Sequence, residues 1–507
     1  MKWVGLLVFG VVLLVASVVA VAAGDGNVGL AVAPALLFAA MYATWKLPLR
    51  WPLLVVTFMA LTLENPADAP AQGLWRSPLY TVGALMLTHL NVTLPNRALL
   101  FSGLDVVLLY LVIVVAARSY TGARIDRPAK AAARPMRTFV LLALGGAACM
   151  WIIGVLQGGA DIASSLWQVQ RVVYLPVVCL LALYALRGPR DYAAFGKVII
   201  GAACLKACVA LYVVATVVSP DGKPLSYATT HPDSMLFADA ACLVVILIMQ
   251  RQDKKRIALA ATTLPVLIAG VIANNRRLAW VEIILGLLVV FSLVRQSPFK
   301  RAVKRAAIMT SPLAIPYVLV GWSSTSKMFR PVQVMRSVVD SRTDMSTLWR
   351  DLENYDLLDT LRQHPLFGTG YGHGYVETIK LPDVESAYSL ERFIPHNAIL
   401  GLWTYGGLVG FTLLWTMFSV GVFFAARAHH HAKDLSTRAA ALSAITTVVV
   451  YFFHCYGDMG LGTWVGVFTV APSLAISARL AVETGAWNEA PARTAVRVKA
   501  TAREVVV

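Results

Sequence analysis

The sequence predicts an all-α protein, a polytopic transmembrane helical bundle of about 12–14 spans, and three observations support this fold class. Of the 507 residues, 58% are hydrophobic and only 14% are charged, and the mean hydropathy is +0.68. Apolar runs of about 18–22 residues, the length that a bilayer requires of a helix, recur along almost the whole chain. Short segments of alternating polarity, which are typical of a membrane β-barrel, do not occur in the sequence.

The N-terminal part, 1–137, is expected to form transmembrane helices and to end in a basic loop. Residues 1–23 combine one lysine with a long apolar run. We favour a retained first helix over a cleaved signal peptide, because the run is long for a signal peptide. Four further apolar segments follow, and the second of them is too short to cross a bilayer comfortably: 28–44, 52–63, 79–95 and 99–117.

The distribution of charge sets the expected orientation in the membrane. The segment 118–137 is rich in basic residues and is therefore expected on the cytoplasmic side. It carries Arg118, Arg124, Arg127, Lys130, Arg134 and Arg137. A cytoplasmic N-terminus requires an even number of spans before this segment. One of the five candidates, which we take to be 52–63, is therefore expected to be re-entrant or merged with a neighbour.

From residue 138 onwards, apolar spans alternate with loops, and the basic residues collect in every second loop. We expect a transmembrane core at 138–321, a large outer loop at 322–397, C-terminal transmembrane helices at 398–482 and a basic cytoplasmic tail at 483–507. The expected spans of the core and C-terminal part are 138–157, 166–186, 198–219, 233–250, 257–273, 278–294, 304–321, 398–423, 438–455 and 462–482.

The formal charge of +17 does not indicate nucleic-acid binding. Most lysines and arginines lie in short loops between apolar runs, where they set membrane orientation. The six cysteines lie in or beside apolar runs and are expected to be small packing residues. The sequence contains no nucleotide-binding glycine loop and no metal-binding motif such as HExxH, so we expect neither a cofactor nor a metal.

Arginines on the expected outer side break the charge pattern. Arg276 and Arg277 lie in a short turn between two apolar spans, and Arg171 lies about one turn inside its span from the same side. A guanidinium group binds phosphate through two hydrogen bonds and stays charged at any pH. We interpret these arginines as a site for a phospholipid-linked substrate. Alternatively, they contact lipid phosphates or pair with carboxylates, and the candidate carboxylates are Asp161, Asp233 and Asp458.

The stretch 345–410 joins the long polar loop to an apolar span and concentrates the reactive side chains. His396 begins a span, one turn after Arg392 and on the same side as the arginine turn. We interpret it as a general base, with Asn397 beside it as a further site candidate. The alternative is a helix-capping or interfacial histidine. Arg350 is a candidate phosphate or sugar contact, or else pairs with Glu353 or Asp351.

Other residues of the outer side are weaker candidates. In the segment PLFGTGYGHGY, the glycines permit close backbone approach, and Tyr371 or Tyr375 could stack on a sugar. Four histidines fit a structural or pore-lining role at least as well as a catalytic one: His231, His364, His373 and His454. The run His429 to His431 lies among basic residues on the cytoplasmic side and is expected to be a solvated loop.

Three sequence features, in one order and on one membrane side, resemble the O-antigen ligase and polymerase superfamily of bacterial membrane glycan transferases. They are the arginine turn NNRRLAW, the loop that contains W-R followed by PLFGTGYG, and the segment RFIPHNAILGLWTYGGLVG. The resemblance covers roughly residues 138–480. It implies a fold of the membrane glycosyltransferase C type and a multi-pass protein of the bacterial inner membrane, with an active site that faces the periplasm.

The resemblance also implies an activity, the transfer of a glycan from undecaprenyl diphosphate to an acceptor hydroxyl. The family's essential loop histidine maps to His396 and its diphosphate-binding arginine to Arg277, with Arg276 beside it. Arg350 and Arg392 match further loop positions. We expect a metal-independent O-antigen ligase whose acceptor is lipid A–core. The alternatives are a polymerase of O-antigen or exopolysaccharide, which extends a growing glycan, and a transporter or flippase of lipid-linked glycan.

Overall fold

A computed structural model describes most of the chain and contains no β-strand within the described residues. Those residues are 2–23, 26, 28–64, 77–93, 99–122, 125–126, 134–217, 225, 227–250, 253–296, 298–339, 345–380 and 392–488. Most of the expected tail, 483–507, and part of the expected outer loop, 381–391, therefore lie outside the description.

The structure contains 18 α-helices within the described residues. They are α1 (Lys2–Ala23), α2 (Ala33–Lys46), α3 (Arg50–Thr62), α4 (Tyr80–Leu87), α5 (Leu90–Thr93), α6 (Gly103–Thr121), α7 (Arg134–Leu156), α8 (Ile162–Ala185), α9 (Pro189–Thr216), α10 (His231–Gln250), α11 (Lys254–Asn274), α12 (Arg277–Leu293), α13 (Pro298–Ser323), α14 (Arg330–Val339), α15 (Met345–Gln363), α16 (Ala398–His431), α17 (Leu435–Gly457) and α18 (Trp464–Glu483). Helices α14 and α15 lie in the long segment between α13 and α16.

The predicted fold class, a polytopic helical membrane protein, is confirmed. Within the described residues, ten helices are long and apolar enough to cross a membrane, namely α6 to α11, α13 and α16 to α18. The 17-residue α12 continues the alternation between α11 and α13. One end of the bundle carries the basic loops and is called the basic end, and the other, which carries α15 and His396, is called the site end.

The candidate span at 79–95 is not a single helix in the structure. The structure divides it into α4 and α5, with a bend at Thr88 and His89. The His89 ring stacks on Trp167 with 3.9 Å between ring centroids, and its Nε2 lies 2.7 Å from the side-chain oxygen of Gln170. These polar and aromatic contacts join His89 to α8 at the bend between α4 and α5. The segment 52–63 forms the 13-residue α3, as short as expected.

Arg118 is a structural residue rather than an exposed loop charge. It lies in the last turn of α6 and is only 7% exposed. Its guanidinium binds the Asp126 carboxylate at 3.0 Å and donates to the carbonyl oxygens of Thr44, Trp45 and Leu47 at 2.8–2.9 Å. Burying an arginine costs less when its charge is paired and hydrogen-bonded in this way. Arg118 thereby fixes the end of α2 against α6.

The centre of the bundle is α18, in which 94% of the membrane-spanning window is buried. It packs mainly against α8, α16 and α17. Small residues dominate it, among them Ala471, Ala475 and Ala478, and small residues let helix backbones approach closely where lipid provides no hydrophobic driving force. A Cβ atom on Gly421 of α16 would lie 2.3 Å from Leu474 of α18, so this contact requires glycine.

Cys242 illustrates the packing role predicted for the cysteines. Its side chain is fully buried on α10 and faces Gly286 of α12. A Cβ atom on Gly286 would lie 2.6 Å from the Cys242 sulfur. The small thiol therefore fills the gap that the glycine leaves between the two helices.

The long helix α16 is broken at Gly407, whose φ of 56° and ψ of −162° leave the helical region. A break inside an apolar helix frees backbone groups that must find partners within the protein. The glycine loop that follows α15 supplies them through four hydrogen bonds. They join Leu408 N–H to Pro365 O (2.9 Å), Val409 N–H to Leu366 O (3.0 Å), Thr369 N–H to Thr404 O (3.2 Å) and Gly370 N–H to Tyr405 O (2.9 Å).

The same loop also contacts α7 through its glycines. Gly370 has a φ of +72°, and a Cβ atom there would lie 2.3 Å from the backbone of Gly154. A Cβ atom on Gly154 would in turn lie 1.9 Å from the Tyr371 carbonyl oxygen. The expectation that the glycines permit close backbone approach is thus confirmed, and the partners are helices α7 and α16.

Candidate active site

His396 lies immediately before α16 and is tied to α15 by one carboxylate. Its backbone N–H donates to both oxygens of Glu353, at 3.2 and 3.1 Å, and its ring Nδ1 lies 3.3 Å from Glu353 Oε1. The Glu353 side chain is 0% exposed and that of His396 is 30% exposed. The Nδ1 atom therefore faces a buried carboxylate, and Nε2 is the nitrogen that remains for a substrate.

This arrangement suits a proton acceptor. When Nδ1–H donates to Glu353, Nε2 keeps its lone pair. Burial lowers the pKa of His396, but the hydrogen bond and charge of Glu353 outweigh burial, and Asp458 adds to them. The pKa therefore lies above the ordinary histidine value, although Arg350 opposes the shift. A raised pKa makes His396 a stronger base once the ring is neutral.

Asn397, rather than His396, caps α16. Its side-chain oxygen accepts from Leu400 N–H at 3.1 Å, and its amide nitrogen donates to the Asn354 side chain at 2.9 Å. Asparagine is among the preferred residues for a helix N-cap. The cap and the link to α15 give Asn397 a positioning role. His396 therefore does not cap α16, which was one of the alternatives for it.

Arg276 precedes α12 at the site end and packs against Tyr227. Its guanidinium carbon lies 3.8 Å from the centre of the Tyr227 ring, and its Nε is buried with no hydrogen-bond partner among the described residues. Burial lowers the pKa of Arg276, Tyr227 and Asp458 oppose this, and the nearby charge of Arg350 lowers it further. An arginine remains charged after such a shift, so Arg276 and Arg350 place two positive charges at the site end.

Arg350 lies on α15, one helical turn before Glu353, and its Nε is also buried with no hydrogen-bond partner among the described residues. The carboxylate of Glu353 is occupied by His396. Among the described contacts, Glu353 therefore pairs with His396 and not with Arg350, which was the alternative for Arg350.

Asp458 is a carboxylate that the sequence suggested only as an alternative partner for the arginines. It follows α17 and pairs with His231, the first residue of α10, with 2.6 Å between Oδ2 and Nδ1. Although burial raises the pKa of Asp458, the charges of His231 and His454 hold it well below its usual range. The carboxylate is therefore negatively charged, and its charge acts on both His396 and Arg276.

A second histidine–carboxylate pair lies inside the bundle. His454 of α17 and Glu282 of α12 are 2.9 Å apart, with side chains 2% and 0% exposed. The remaining atoms, Glu282 Oε2 and His454 Nε2, are buried without hydrogen-bond partners among the described residues. Burying polar atoms without hydrogen-bond partners costs free energy, so this pair lowers the stability of the fold unless its other contacts compensate. Sequence reasoning missed Glu282, which lies in an otherwise apolar helix.

The remaining predicted site residues lie around this centre in different settings. Arg277 is the exposed first residue of α12. Arg392 pairs with Glu377 at 2.9 Å. The Tyr371 ring is only 2% exposed and packs against Tyr405 with 6.4 Å between ring centroids. It belongs to the buried core and also lines a small cavity between α8 and the start of α16.

A small cavity of about 50 Å³ lies between α8 and the start of α16. Its walls are mostly apolar, and Arg171 and Gln168 of α8 contribute the polar groups. The residues on either side of His396 and Asn397, namely Pro395 and Ala398, also line it. Arg171 lies with its guanidinium carbon 5.7 Å from the Trp167 ring centre. Arg171 and the segment that carries His396 therefore border one apolar space.

Gln168 positions two segments of the site and was not identified from the sequence. Its side-chain nitrogen donates to the Phe393 carbonyl at 2.8 Å, and its oxygen accepts from Gly372 N–H at 2.7 Å. It thus joins the glycine loop to the segment that carries His396. A single buried glutamine in an apolar helix gives no sequence signal that distinguishes such a bridge.

Among the weaker candidates, His373 Nε2 contacts the Gly154 carbonyl at 2.9 Å and supports the loop. His364 ends α15, with its N–H bonded to Thr360 and Leu361. His429 to His431 end α16 at the basic end. In the part of the chain that the structure describes, no three side chains of His, Cys, Asp and Glu are grouped so as to hold a metal ion.

The helices and this centre define a multi-pass helical membrane protein with a histidine–glutamate pair beside clustered arginines. Residues 263–415 match the family model described as O-antigen ligase. The match confirms the resemblance to the O-antigen ligase family over this segment, which includes Arg276, Arg277, Arg350, Arg392 and His396. No curated protein matches the chain.

Proposed function

We propose that the protein transfers a glycan from undecaprenyl diphosphate to a hydroxyl group of lipid A–core, at the periplasmic face of the inner membrane. The observation that carries this proposal is the attachment of His396 to the buried Glu353, in a site that also holds Arg276 and Arg350. A general base beside an anion site is what the transfer of a glycan from a lipid diphosphate requires.

In the proposed reaction, the acceptor hydroxyl oxygen attacks the anomeric carbon of the donor. His396 Nε2 takes the hydroxyl proton as the new glycosidic bond forms, and the bond from the anomeric carbon to the diphosphate oxygen breaks. The leaving group is undecaprenyl diphosphate, and its diphosphate oxygen keeps the electron pair of the broken bond. Glu353 stabilises the imidazolium that results, because its carboxylate already faces Nδ1.

The arginines stabilise the leaving group. Negative charge accumulates on the diphosphate as the bond breaks, and preorganised donors stabilise such charge without reorganising during the reaction. Arg276 is held by Tyr227, and the Nε atoms of Arg276 and Arg350 are buried with no hydrogen-bond partner among the described residues. Arg277, Arg171 and Arg392 are further contacts that we propose for the diphosphate or its sugar.

The cavity beside Arg171 supports a lipid-linked donor. It is lined mainly by apolar side chains and lies against the segment that carries His396. We propose that the part of the isoprenoid chain nearest to the diphosphate lies against the apolar walls of this cavity. The donor would then place its diphosphate between Arg171 and the Arg276 cluster.

The test uses cells that lack the endogenous protein, complemented with wild type, His396→Ala, Arg276→Ala or the control His430→Ala. His430 is an exposed histidine at the basic end. We expect wild type and the control to attach long glycan to lipid A–core, as seen on a gel of surface polysaccharide. Removal of a general base costs roughly 10²–10⁴-fold in rate, so His396→Ala should abolish the long species while the protein is still expressed.

The outcome also separates the alternatives. If wild type changes glycan length on the undecaprenyl carrier and adds nothing to lipid A–core, the protein is a polymerase that uses the same residues. If His396→Ala is as active as wild type, the transferase proposal is wrong and the transporter alternative gains support.

A further inference from the structure

A large cavity opens at the basic end, at the opposite end of the bundle from His396. It has a volume of about 320 Å³ and is formed by α9, α10, α11, α17 and α18. The sites of small molecules typically measure roughly 300–1,000 Å³, so this cavity has the size of a ligand site. None of the residues of the candidate active site lines it.

The walls of this cavity are apolar. They include Phe195, Ile199, Ile200, Leu243, Leu247 and Ile476. Leu259 also lines the cavity and is 38% exposed on the outside of the bundle, so the cavity opens at the surface that faces lipid in a multi-pass protein. Apolar walls open to a bilayer favour a hydrocarbon chain over water.

The mouth of the cavity is basic. The charged residues that line it are Lys197 of α9 and Arg256 of α11. Lys197 is exposed. Arg256 donates to the Leu247 carbonyl at 3.2 Å and lies 3.6 Å from Asp253, the nearest carboxylate, which also caps α11. Ser436 and Thr437, at the start of α17, add hydroxyl groups to the lining.

We propose that this cavity binds an anionic diacyl phospholipid, with an acyl chain between α9 and α17 and the phosphate at Lys197 and Arg256. Basic pockets between transmembrane helices on the cytoplasmic side bind the head groups of anionic lipids. The positive-inside pattern places this end at the cytoplasmic leaflet, so such a lipid reaches the cavity by lateral diffusion. The site is independent of the proposed transferase chemistry.

The full-length protein in detergent is the sample for the test. Native mass spectrometry would compare phosphatidylglycerol with phosphatidylethanolamine of the same acyl chains. We expect preferential retention of phosphatidylglycerol. Each basic side chain near a membrane surface contributes about fivefold to the binding of an anionic lipid. Lys197→Gln and Arg256→Gln should therefore each weaken retention of phosphatidylglycerol by about fivefold and leave phosphatidylethanolamine unchanged.

Two further variants test whether the lipid binds in this cavity. Lys254→Gln is the matched control, because Lys254 is an exposed lysine at the start of α11 that does not line the cavity. Ala440→Trp places a large ring in the cavity and should reduce retention of both lipids.

Three outcomes would overturn the proposal. They are equal retention of the two lipids by wild type, an equal loss in the Lys254 control, and unchanged retention by a correctly folded Ala440→Trp. Lys197→Gln changes an exposed side chain and remains informative even if Ala440→Trp does not fold.

Discussion

The carboxylate of Glu353 holds His396 by two means at once, since it accepts the backbone N–H at 3.1 and 3.2 Å and faces ring Nδ1 at 3.3 Å. The backbone bonds fix the position of the residue, and the ring contact fixes its tautomer. The two residues are 43 positions apart in the chain. α15 is therefore a positioning element of the proposed active site rather than only a helix of the polar loop.

Replacement of Glu353 by glutamine should move the pH dependence of transfer. His396 must be neutral to accept a proton, so its pKa sets the acidic limb of the rate profile. Glu353 raises this pKa. Glu353→Gln should therefore lower the pKa of His396 and shift the acidic limb to lower pH, as measured by transfer rates in membranes between about pH 5 and pH 9.

The control for this shift is Asp359→Asn, on the same helix, whose carboxylate contacts Thr378 and Gln363 rather than His396. It should leave the acidic limb in place. A shift in the opposite direction, or an equal shift in the control, would contradict the role given to Glu353.

Tyr227 should determine how well Arg276 binds the donor. Its ring faces the guanidinium at 3.8 Å, and a contact of this kind contributes roughly 0.5–2 kcal/mol. Tyr227→Ala should raise the KM for the lipid-linked donor by about 2- to 30-fold. Tyr227→Phe keeps the ring face and should change KM little. If Tyr227→Phe raises KM as much as Tyr227→Ala does, the hydroxyl group rather than the ring positions Arg276.

Part of this centre could be predicted from the sequence, because it depends on local signals. Arg276 and Arg277 stand out as charges on the expected outer side, and His396 stands out beside a span. Glu353, Tyr227 and Gln168 could not be found in this way, because their roles come from contacts with distant residues.

The helical spans could also be predicted from local sequence, because a bilayer imposes a length and an apolar composition on each one. The exception, 79–95, was misread because hydropathy does not register the contacts that bend it at His89. The break at Gly407 also escaped prediction. Glycine is common in transmembrane helices, and only the docked loop shows that this glycine adopts a positive φ.

Gly154→Ala should destabilise the protein and impair transfer. The added Cβ atom would lie 1.9 Å from the Tyr371 carbonyl oxygen, so the glycine loop must move away from α7. Overpacking of this kind costs typically about 1–3 kcal/mol. Gly145→Ala on the same helix has nothing within 4 Å of the new atom and should be neutral or slightly stabilising. Thermal unfolding in detergent measures both, and similar losses in the two variants would contradict the docking of the loop.

The buried pair of Glu282 and His454 should show strong energetic coupling. Each side chain is at most 2% exposed, and they are 2.9 Å apart. Removal of one partner leaves the other buried without compensation, which costs roughly 3–5 kcal/mol, whereas apolar replacement of both is often close to neutral. Glu282→Leu and His454→Leu should therefore each lower the unfolding midpoint in detergent, and the double variant should recover most of the loss. If the two single losses simply add in the double variant, the pair does not stabilise the contact between α12 and α17.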